Sequence, residues 1–458
     1  MGPTNPPDRA CSGSTPSGLS LSCAGAPTPD SASEVGQCPS PLFPRSLAAC
    51  SSSYKAPRGP MAVMRGASLH SLPDSALLAV LRLLPPLERR VVVPLVCKRF
   101  AALAAASTDL WQQVQLSIPV DFRQSVSLPD LYAWFVRREG LVRSLHVSIG
   151  TDDAWAPLLA LLGVAGRGLE HLRIAGDGQS CAVAGCTAPW LALTPNLRSL
   201  ELDDVCDHSI GEALWPAGLT RLELSYCGEE GLYSIPTHVG ELTQLHTLVL
   251  NCAMFDNELT LDRLATCTNL QRLDLSNCCL SRVPRVLAKL PRLASLTLNE
   301  NDALGAGGAA LEPLATLTQL QVLEMRECGL RSVPSSLSQL TNLRSLLLGY
   351  NSMTQRPCIP SGPYLAGLRV LAMSDASGFQ DDTPFEVLLE PLEPAVGLEV
   401  LRINRCMGLQ LTIEDVGRLL AGKPRFRKLE FTADMLSDPR DLEELRRRHP
   451  QVNFKAVD

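Results

Sequence analysis

The chain has 458 residues, of which 45% are hydrophobic, and its net charge at neutral pH is −6. This charge gives no basic footprint for nucleic acid, and residues such as Arg82, Glu88 and Pro94 interrupt the apolar stretches before they reach the length of a membrane span. The 16 cysteines occur in a long chain without the charged start and apolar core of a secretion signal, which favours the reducing cytoplasm or nucleus over a disulfide-bonded secreted protein.

The first segment, residues 1–66, is rich in Ser, Pro, Ala and Gly. Few of its side chains could join a hydrophobic core, so the composition predicts a disordered tail. A Ser-rich leader poor in acids also resembles an organelle transit peptide, although dense prolines disfavour the amphipathic helix of such peptides. Met61 and Met64 lie near the end of the segment. Translation from either would remove most of the tail, so its role stays open.

Residues 67–116 are predicted to form a small module of three helices. Apolar residues recur at helical spacing in its first part, at Leu77, Val80, Leu81 and Leu84. Pro73 suits the first helical position, and the Pro-Pro pair after Leu84 ends the helix because neither proline can donate a backbone hydrogen bond. A second helix is predicted from about Leu87 and a third from Cys97 to Ala105, before Trp111 covers the base of the module.

Four landmarks occur in order within residues 72–111. They are Leu72-Pro73, the apolar helix, the run Val96-Cys97-Lys98-Arg99-Phe100, and the closing pair Leu110-Trp111. This arrangement resembles an F-box, a module that binds a Skp-type adaptor and through it a cullin scaffold. The resemblance implies the adaptor-binding residues Leu72, Pro73, Leu77, Val80, Leu84, Val96, Cys97, Arg99 and Phe100. The alternative is a helical cap that covers the apolar edge of the first repeat of the following segment.

Residues 117–139 are predicted to form a connecting helix or linker, and residues 140–458 repeat the pattern Leu-x-x-Leu-x-Leu about twelve times. The copies begin at Val142, Leu169, Leu197, Leu219, Leu245, Leu270, Leu293, Leu320, Leu343, Leu368, Leu398 and Phe426. Neighbouring starts are 22 (197 to 219) to 30 (368 to 398) residues apart, the period of leucine-rich repeats. The pattern predicts an α/β solenoid with a parallel concave sheet, a helical or irregular convex side and a C-terminal cap.

The position eight residues after a repeat start is predicted to lie in the turn that leaves the sheet. It is occupied by Cys227, Cys278, Asn301, Cys328, Asn351 and Cys406. Polar side chains there can satisfy backbone groups, which an apolar residue could not do. A zinc set of Cys181, Cys186, Cys206 and His208 has loose spacing, and Cys206 lies beside a turn position, so packing explains it better. We therefore predict no metal and no cofactor.

A catalytic site is not predicted, because the sequence has no nucleophile motif and the glycines at 305–308 lack the Lys and Ser/Thr of a phosphate loop. Binding is expected instead on the concave sheet, at strand positions between the inward leucines. The predicted target-binding residues are Arg173, Glu201, Asp203, Arg221, Glu223, Asn251, Arg272, Asp274, Asn299, Glu324, Arg326, Arg402, Asn404 and Lys428, with Glu430 beside them.

Charge along this face predicts a polarity. Acidic residues of the early and middle repeats, at Glu201, Asp203, Asp204, Glu223 and Asp274, are expected to form a band about 5 Å apart from strand to strand. Arg402, Arg405 and Lys428 leave the C-terminal end comparatively basic. A partner with a basic stretch toward the early repeats and an acidic or phosphorylated stretch toward the late ones would fit this distribution.

The F-box landmarks and the repeats together resemble an F-box and leucine-rich repeat receptor. The resemblance implies a non-catalytic subunit of an SCF-type ubiquitin ligase that presents a target protein for ubiquitination and proteasomal degradation. The alternative is a scaffold outside any ligase, cytoskeletal, axonemal or signalling, since Ile235-Pro236, Val283-Pro284 and Val333-Pro334 resemble intracellular scaffold repeats. The identity and modification of the target, and a small molecule on the concave face, stay open.

Overall fold

The computed structural model describes residues 72–84, 97–118, 128–138, 140–150, 155–176, 189–205, 210, 212–227, 235–253, 258–306, 308–380, 383–436 and 438–457. Four of the predictions lie outside these residues. They are the disordered tail, the second helix from Leu87, the role of Val96, and the possible zinc set of Cys181, Cys186, Cys206 and His208.

Short strands recur through the described residues. They are β1 (Gln113–Ile118), β2 (Ser144–Ile149), β3 (His171–Ala175), β4 (Ser199–Asp203), β5 (Arg221–Ser225), β6 (Thr247–Asn251), β7 (Arg272–Asp274), β8 (Ser295–Thr297), β9 (Val322–Glu324), β10 (Ser345–Leu347), β11 (Val370–Ala372), β12 (Thr383–Pro384), β13 (Val400–Arg402), β14 (Leu409–Gln410), β15 (Lys428–Thr432) and β16 (Asn453–Val457). A 14-stranded parallel sheet contains all of them except β12 and β14, which pair with each other.

The strands β2 to β11, β13 and β15 each begin two residues after a predicted repeat start, which confirms the repeats and the solenoid fold. Two further strands of the 14-stranded sheet were not predicted. β1 pairs with β2 at the N-terminal end of the sheet, and β16 pairs with β15 at the C-terminal end. The sheet therefore extends by one strand beyond the repeats in each direction.

Helices occupy the segments between strands. The α-helices are α1 (Asp74–Leu83), α2 (Lys98–Ala106), α3 (Leu128–Val136), α4 (Trp155–Ala165), α5 (Tyr364–Gly367), α6 (Glu386–Leu389), α7 (Ile413–Ala421) and α8 (Asp441–Arg448). The 3-10 helices are Thr108–Trp111, Gly166–Gly168, Pro189–Leu193, Val239–Glu241, Glu258–Thr266, Arg285–Lys289, Asp302–Ala306, Gly308–Thr316, Ser335–Gln339 and Ala433–Met435. None of the helices in the described part of the chain combines the length and hydrophobicity that a membrane span requires.

The inward leucines form the core because neighbouring strands pair in register. Leu248 aligns with Leu273, and Leu273 with Leu296, and all three are almost fully buried. Burying one such side chain stabilises the fold by roughly 1.5–3 kcal/mol. Strand side chains between the leucines alternate outward, as the half-buried positions of β5 and β6 show. The repeat pattern thus fixes both the core and the face left for binding.

Buried asparagines organise two of the turns. The Oδ1 atom of Asn301 accepts hydrogen bonds from the backbone of Cys278 (3.1 Å) and Leu280 (2.9 Å), while its Nδ2 donates to the carbonyl oxygens of Leu275 and Leu298 at 2.9 Å and of Asn299 at 3.1 Å. Asn351 repeats this arrangement between the turns that follow β9 and β10. One amide therefore ties each of these turns to the preceding repeat.

Cysteines fill the same turn position in other repeats. The thiol of Cys278 donates to the carbonyl oxygen of Leu250 at 2.9 Å, and that of Cys328 donates to Leu298 at 3.0 Å. Cys227 and Cys406 make the equivalent contacts to the preceding repeat at 3.7 and 3.1 Å. All four thiols are buried, which confirms the predicted turn role.

These turn thiols are expected to resist alkylation in the native protein. Burial raises the pKa of Cys278 and of Cys328 to about 12, so almost no reactive thiolate exists at pH 8. The neighbouring Cys279 is exposed. Brief treatment with iodoacetamide followed by tandem mass spectrometry should label Cys279 and leave Cys278 and Cys328 intact, whereas urea should make all three reactive. Equal labelling of Cys278 and Cys279 in the folded chain would contradict the turn assignment.

The N-terminal helices pack onto the same core as the repeats. Leu77 and Leu81 of α1 and Phe100 of α2 are buried in it. Trp111 donates its indole N–H to the carbonyl oxygen of Ala104 at 2.7 Å and packs edge-on against Trp134 at 5.3 Å between ring centroids. The segment between residues 97 and 118 thus runs from α2 directly into β1.

Two details of the predicted helical module differ from the sequence-based expectation. Pro73 caps α1 in an extended conformation and is not its first helical residue, which is Asp74. Val80 was expected in the apolar stripe of this helix but has 39% of its surface exposed, whereas Leu77 and Leu81 are buried in the core. Cys97 precedes α2 as its N-cap and accepts a hydrogen bond from the backbone of Phe100 through its sulfur.

Candidate protein-binding surfaces

The concave surface of the sheet is formed by outward-facing strand residues and by the residues that follow each strand. The predicted target-binding residues lie there, and each is at least partly exposed. Some also serve the fold. Asn299 accepts a hydrogen bond from the backbone of Arg326 at 2.9 Å, and Asn404 accepts one from the Ser374 hydroxyl at 2.6 Å. These two amides are therefore partly committed to neighbouring repeats.

An ion-pair cluster joins β3, β4 and β5. Arg173 lies 3.5 Å from Glu201 and 3.6 Å from Asp203. Arg221 lies 3.3 Å from Glu201 and also pairs with Glu223. The expected acidic band is largely neutralised here, because arginines on the same or the neighbouring strand pair with these carboxylates. This part of the surface therefore presents little net charge to a binding partner.

A second cluster lies toward the C-terminal end of the sheet. Arg402 and Lys428 both contact Glu430, at 3.0 and 2.5 Å. Arg405 lies 3.5 Å from Asp375. The expected basic character of this end is also reduced, because each of the three cations has an acidic neighbour and two of them share Glu430. Both predicted charged regions are mixed-charge clusters.

Two neighbouring strands between the clusters carry only uncharged side chains at their outward positions. β10 and β11 present Ser345, Leu347, Val370 and Ala372 to the concave side. Leu347 and Ala372 are buried even though they point away from the leucine core. This segment was not predicted from the sequence because only polar residues were considered as binding candidates. The feature that could have identified the segment is the absence of charge at both outward positions of these strands. An uncharged centre between polar flanks is a common composition for a protein-binding surface.

The pKa of Glu430 predicts a pH-dependent contribution to stability. Burial alone would raise this pKa, but the hydrogen bond from Lys428 and the charges of Arg402, Lys428 and Lys455 outweigh burial and lower it. A carboxyl whose pKa is lower in the folded chain stabilises the fold above its unfolded pKa of about 4.3, and this contribution is lost as the pH falls through the folded value. Glu430→Gln should therefore cost about 0.5–1 kcal/mol at pH 7 and almost nothing at pH 2.

Glu223 provides the matched control for this measurement. Burial raises its pKa and outweighs the opposing charge of Arg221. Its ionised form therefore opposes folding as the pH rises above the unfolded pKa, so Glu223→Gln should not lose stability at pH 7. Urea denaturation at pH 7 and at pH 2 measures both variants. If Glu430→Gln keeps its cost at pH 2, the ion pairs are not its cause.

A second surface lies on α1 and α2. Arg99 donates to the carbonyl oxygen of Leu72 at 2.8 Å and pairs with the Asp74 carboxylate. These contacts bring the Leu-Pro landmark beside the third predicted landmark, the run that contains Arg99. Among the predicted adaptor-binding residues, Leu77 and Phe100 are buried, Leu72, Leu84, Cys97 and Arg99 are half-buried, and Pro73 and Val80 are exposed. The buried Leu77 and Phe100 pack in the core. The half-buried and exposed residues remain accessible for contact with a partner.

The exposed end of α1 includes a residue that the sequence-based analysis missed. Leu83 has 84% of its surface exposed and adjoins Leu84, the C-terminal cap of the helix. The sequence feature that predicts its exposure is its position outside the apolar stripe of Leu77 and Leu81. Helical spacing places residue 83 on the side of the helix away from the core. Metal binding has no support in the residues that the structure describes, where no three His, Cys, Asp or Glu side chains form a suitable group.

Comparison with known proteins agrees with the repeat architecture. The family model for the Leucine Rich Repeat matches residues 269–290. The search of curated proteins found no significant match. Similar solved structures include an internalin from Listeria monocytogenes, with 19% identity and a TM-score of 0.45 over 70% of this chain and 81% of that chain. A leucine-rich repeat protein of Leptospira interrogans has 15% identity and a TM-score of 0.48 over 77% and 98% of the two chains.

TLR13, solved in a complex with ssRNA13, is also similar, with 19% identity and a TM-score of 0.49 over 77% of this chain and 52% of that chain. The fold assignment itself rests on the repeated parallel strands and the family match. The chain is a leucine-rich repeat protein with an α/β solenoid fold.

Proposed function

We propose that this protein is a non-catalytic substrate receptor of an SCF-type cullin ubiquitin ligase. The α1–α2 region binds a Skp-type adaptor, and the concave sheet binds the protein that is to be ubiquitinated. The receptor contributes proximity, because holding the target beside the ligase raises its effective concentration for ubiquitin transfer. Such a receptor acts in the cytoplasm or the nucleus.

The observation that carries this proposal is the contact between the first and the third of the F-box landmarks. Arg99 reaches the backbone of Leu72 and the side chain of Asp74, although 27 residues separate Arg99 from Leu72. Leu72 and Pro73 are thereby held at the start of α1, with Val80 and Leu83 exposed further along the same helix. A helical cap would need buried apolar residues but would have no use for exposed ones. This exposed apolar set supports adaptor binding.

Affinity purification of the tagged full chain followed by mass spectrometry tests the proposal directly. Adaptor and cullin peptides should be recovered from cytoplasmic or nuclear extract, and blocking the proteasome should increase the recovery of ubiquitinated partners. Absence of adaptor and cullin from every preparation would contradict the ligase assignment.

Replacing Leu72 and Pro73 together with Ala is expected to weaken adaptor capture by about tenfold or more, the usual effect of removing central apolar contacts at an interface. The repeats should stay folded, since Pro73 is exposed and Arg99 bonds the main-chain oxygen of Leu72, which the substitution keeps. Pull-down with purified adaptor and a thermal melt measure the two effects. Val396→Ala, at an exposed apolar residue of the repeats, is the control and should change neither.

The second proposal is a scaffold role outside any ligase, in a cytoskeletal, axonemal or signalling assembly. The observation that favours it is that α1, α2 and β1 share one continuous core with the repeats, as a capping element would. Under this proposal the Leu72 and Pro73 substitution leaves the set of captured partners unchanged. The same pull-down therefore separates the two functions.

A further inference from the structure

Two adjoining clefts lie away from the concave sheet, among the segments that connect the strands. The larger has a volume of about 790 Å³ and includes Arg331, Ser336 and Arg356 in its wall. The smaller has a volume of about 280 Å³ and includes Arg282 and Arg285. Glu312 lines both clefts, so they meet at this residue. No strand residue of the sheet lines either cleft, which makes the site separate from the concave surface.

The clefts concentrate positive charge in a chain whose net charge is −6. Four arginines line them, against the single carboxylate of Glu312. On the concave sheet, Arg173, Arg221 and Arg402 pair with acidic neighbours. Among the described residues, the guanidinium groups of Arg285 and Arg331 have no hydrogen-bond or ion-pair partner. Both side chains are exposed, and their charge is available to a ligand.

Arg356 is held in place at the far side of the larger cleft. It donates to the carbonyl oxygens of Met353 at 2.5 Å and Gly378 at 3.2 Å, and its guanidinium stacks over Phe379. These contacts fix the position of its charge before any ligand arrives, which lowers the entropy cost of binding. The larger cleft therefore combines a fixed cation with the exposed Arg331.

A hydroxyl group and an apolar floor complete the larger cleft. The Oγ atom of Ser336 is buried from solvent and has no hydrogen-bond partner among the described residues. Such a group costs free energy unless a ligand or water satisfies it. Val333, Pro334 and Pro357 also line the cleft. A ligand for this site needs hydrogen-bond acceptors together with an apolar stretch.

We propose that the two clefts bind an acidic segment of a partner protein, with carboxylates on either side of Glu312. One carboxylate meets Arg331 and accepts a hydrogen bond from Ser336, and the other meets Arg285. Guanidinium groups match carboxylates in charge and in planar geometry. The main chain between the carboxylates crosses Pro334 near Glu312, whose negative charge disfavours a third acid at the centre. The volume of the larger cleft lies in the range of ligand sites, and the adjoining arrangement of the two clefts suits an extended peptide.

The test uses the purified full chain and a pool of unmodified random-sequence peptides, followed by fluorescence anisotropy on the peptides selected. Captured sequences should be enriched in Asp and Glu at two separated positions, and binding should weaken with salt. Arg331→Gln and Arg285→Gln should each reduce affinity by about tenfold or more, because each removes a charge-assisted hydrogen bond. Ser336→Ala should reduce affinity by a few-fold. Arg425→Gln, at an exposed arginine outside the clefts, is the matched control and should have no effect.

Glu312→Gln tests the site in the opposite direction. Removal of the negative charge of Glu312 should increase the affinity for acidic peptides by up to about fivefold. Damage to the fold could not produce such an increase. The proposal is overturned if the captured peptides show no acidic enrichment, if Arg331→Gln and Arg285→Gln bind them as well as the unmodified chain, or if Glu312→Gln weakens them. A second pool, in which every peptide carries a phosphoserine, tests which acidic group the clefts bind. If peptides are captured from that pool alone, the site does not bind carboxylates. The outcome is independent of adaptor binding, which the Leu72 and Pro73 substitution tests.

Discussion

Asn301→Ala is expected to destabilise the protein by about 3–5 kcal/mol, one of the two largest losses that we predict. The side chain is 1% exposed and bonds five backbone groups of two adjacent turns. Alanine would leave two backbone N–H groups and three carbonyl oxygens without these partners, in a place that water enters poorly. Urea denaturation measures the loss, and hydrogen exchange at the Cys278 and Leu280 amides locates it.

Two further variants separate the turn network from a general effect of substitution. Asn342 is half-buried and makes one bond, to the carbonyl oxygen of Thr318 at 2.9 Å, so Asn342→Ala should cost no more than about 1 kcal/mol. Asn301→Cys should recover part of the loss, because a thiol at the equivalent position of Cys278 donates to the preceding repeat. It cannot accept the two N–H bonds, so recovery stays partial. An Asn301→Ala cost equal to that of Asn342→Ala would show that the turn network does not carry stability.

The repeats and their turns were predictable because each depends on local spacing. Leu270, Leu273 and Leu275 are buried for the reason the pattern gives, and Cys278 lies in the predicted turn. β1 and β16 carry no complete repeat pattern, so nothing in their own sequence distinguishes them from other short apolar stretches. Pairing with an adjacent strand makes them part of the sheet. Their existence depends on contacts that only the assembled solenoid provides.

The face of the sheet could be predicted, but its electrostatics could not. Alternation along a strand places Glu201 and Arg221 outward. Whether the two side chains form an ion pair depends on whether they can reach each other across a strand spacing of about 5 Å. The sequence of a single strand does not show this. The same limitation hid the acid-accepting clefts. Arg285 and Arg331 belong to different repeats and line one continuous site only after the repeats have stacked.

The predicted adaptor surface was accessible from sequence in a different way. Its landmarks predict which residues contact an adaptor, and the structure separates the buried ones from the exposed ones. Leu77 and Phe100 support the core, and Pro73, Val80 and the unpredicted Leu83 face solvent. A helical pattern does not make this distinction for every position, because Val80 lies at the border of the apolar stripe. Arg99 links the two halves of the surface through Leu72 and Asp74.

Trp111→Ala is expected to cost about 3–5 kcal/mol and to loosen α1 and α2 before the central repeats. Trp111 is 3% exposed, bonds the backbone of Ala104 at the end of α2, and packs on Trp134, with Arg138 stacked over both rings. It therefore joins the predicted adaptor surface to the first strand of the sheet. A solenoid couples mainly neighbouring elements, so hydrogen exchange should accelerate in α1, α2 and β1 and remain unchanged in β7 to β10.

Trp111→Phe is the matched control, since it keeps an aromatic ring but removes the indole N–H that bonds Ala104 and the smaller ring that carries it. Its cost should be about 1–2 kcal/mol, well below that of Trp111→Ala. If adaptor binding requires α1 and α2 to be held against the sheet, Trp111→Ala will reduce capture even though it changes no residue of the proposed contact surface, whereas Trp111→Phe will largely preserve it. Uniform acceleration of exchange across the whole sheet in Trp111→Ala would instead show that the helices and the repeats unfold as one unit. In that case Trp111 would contribute to global stability and would not act as a local connection between two binding surfaces.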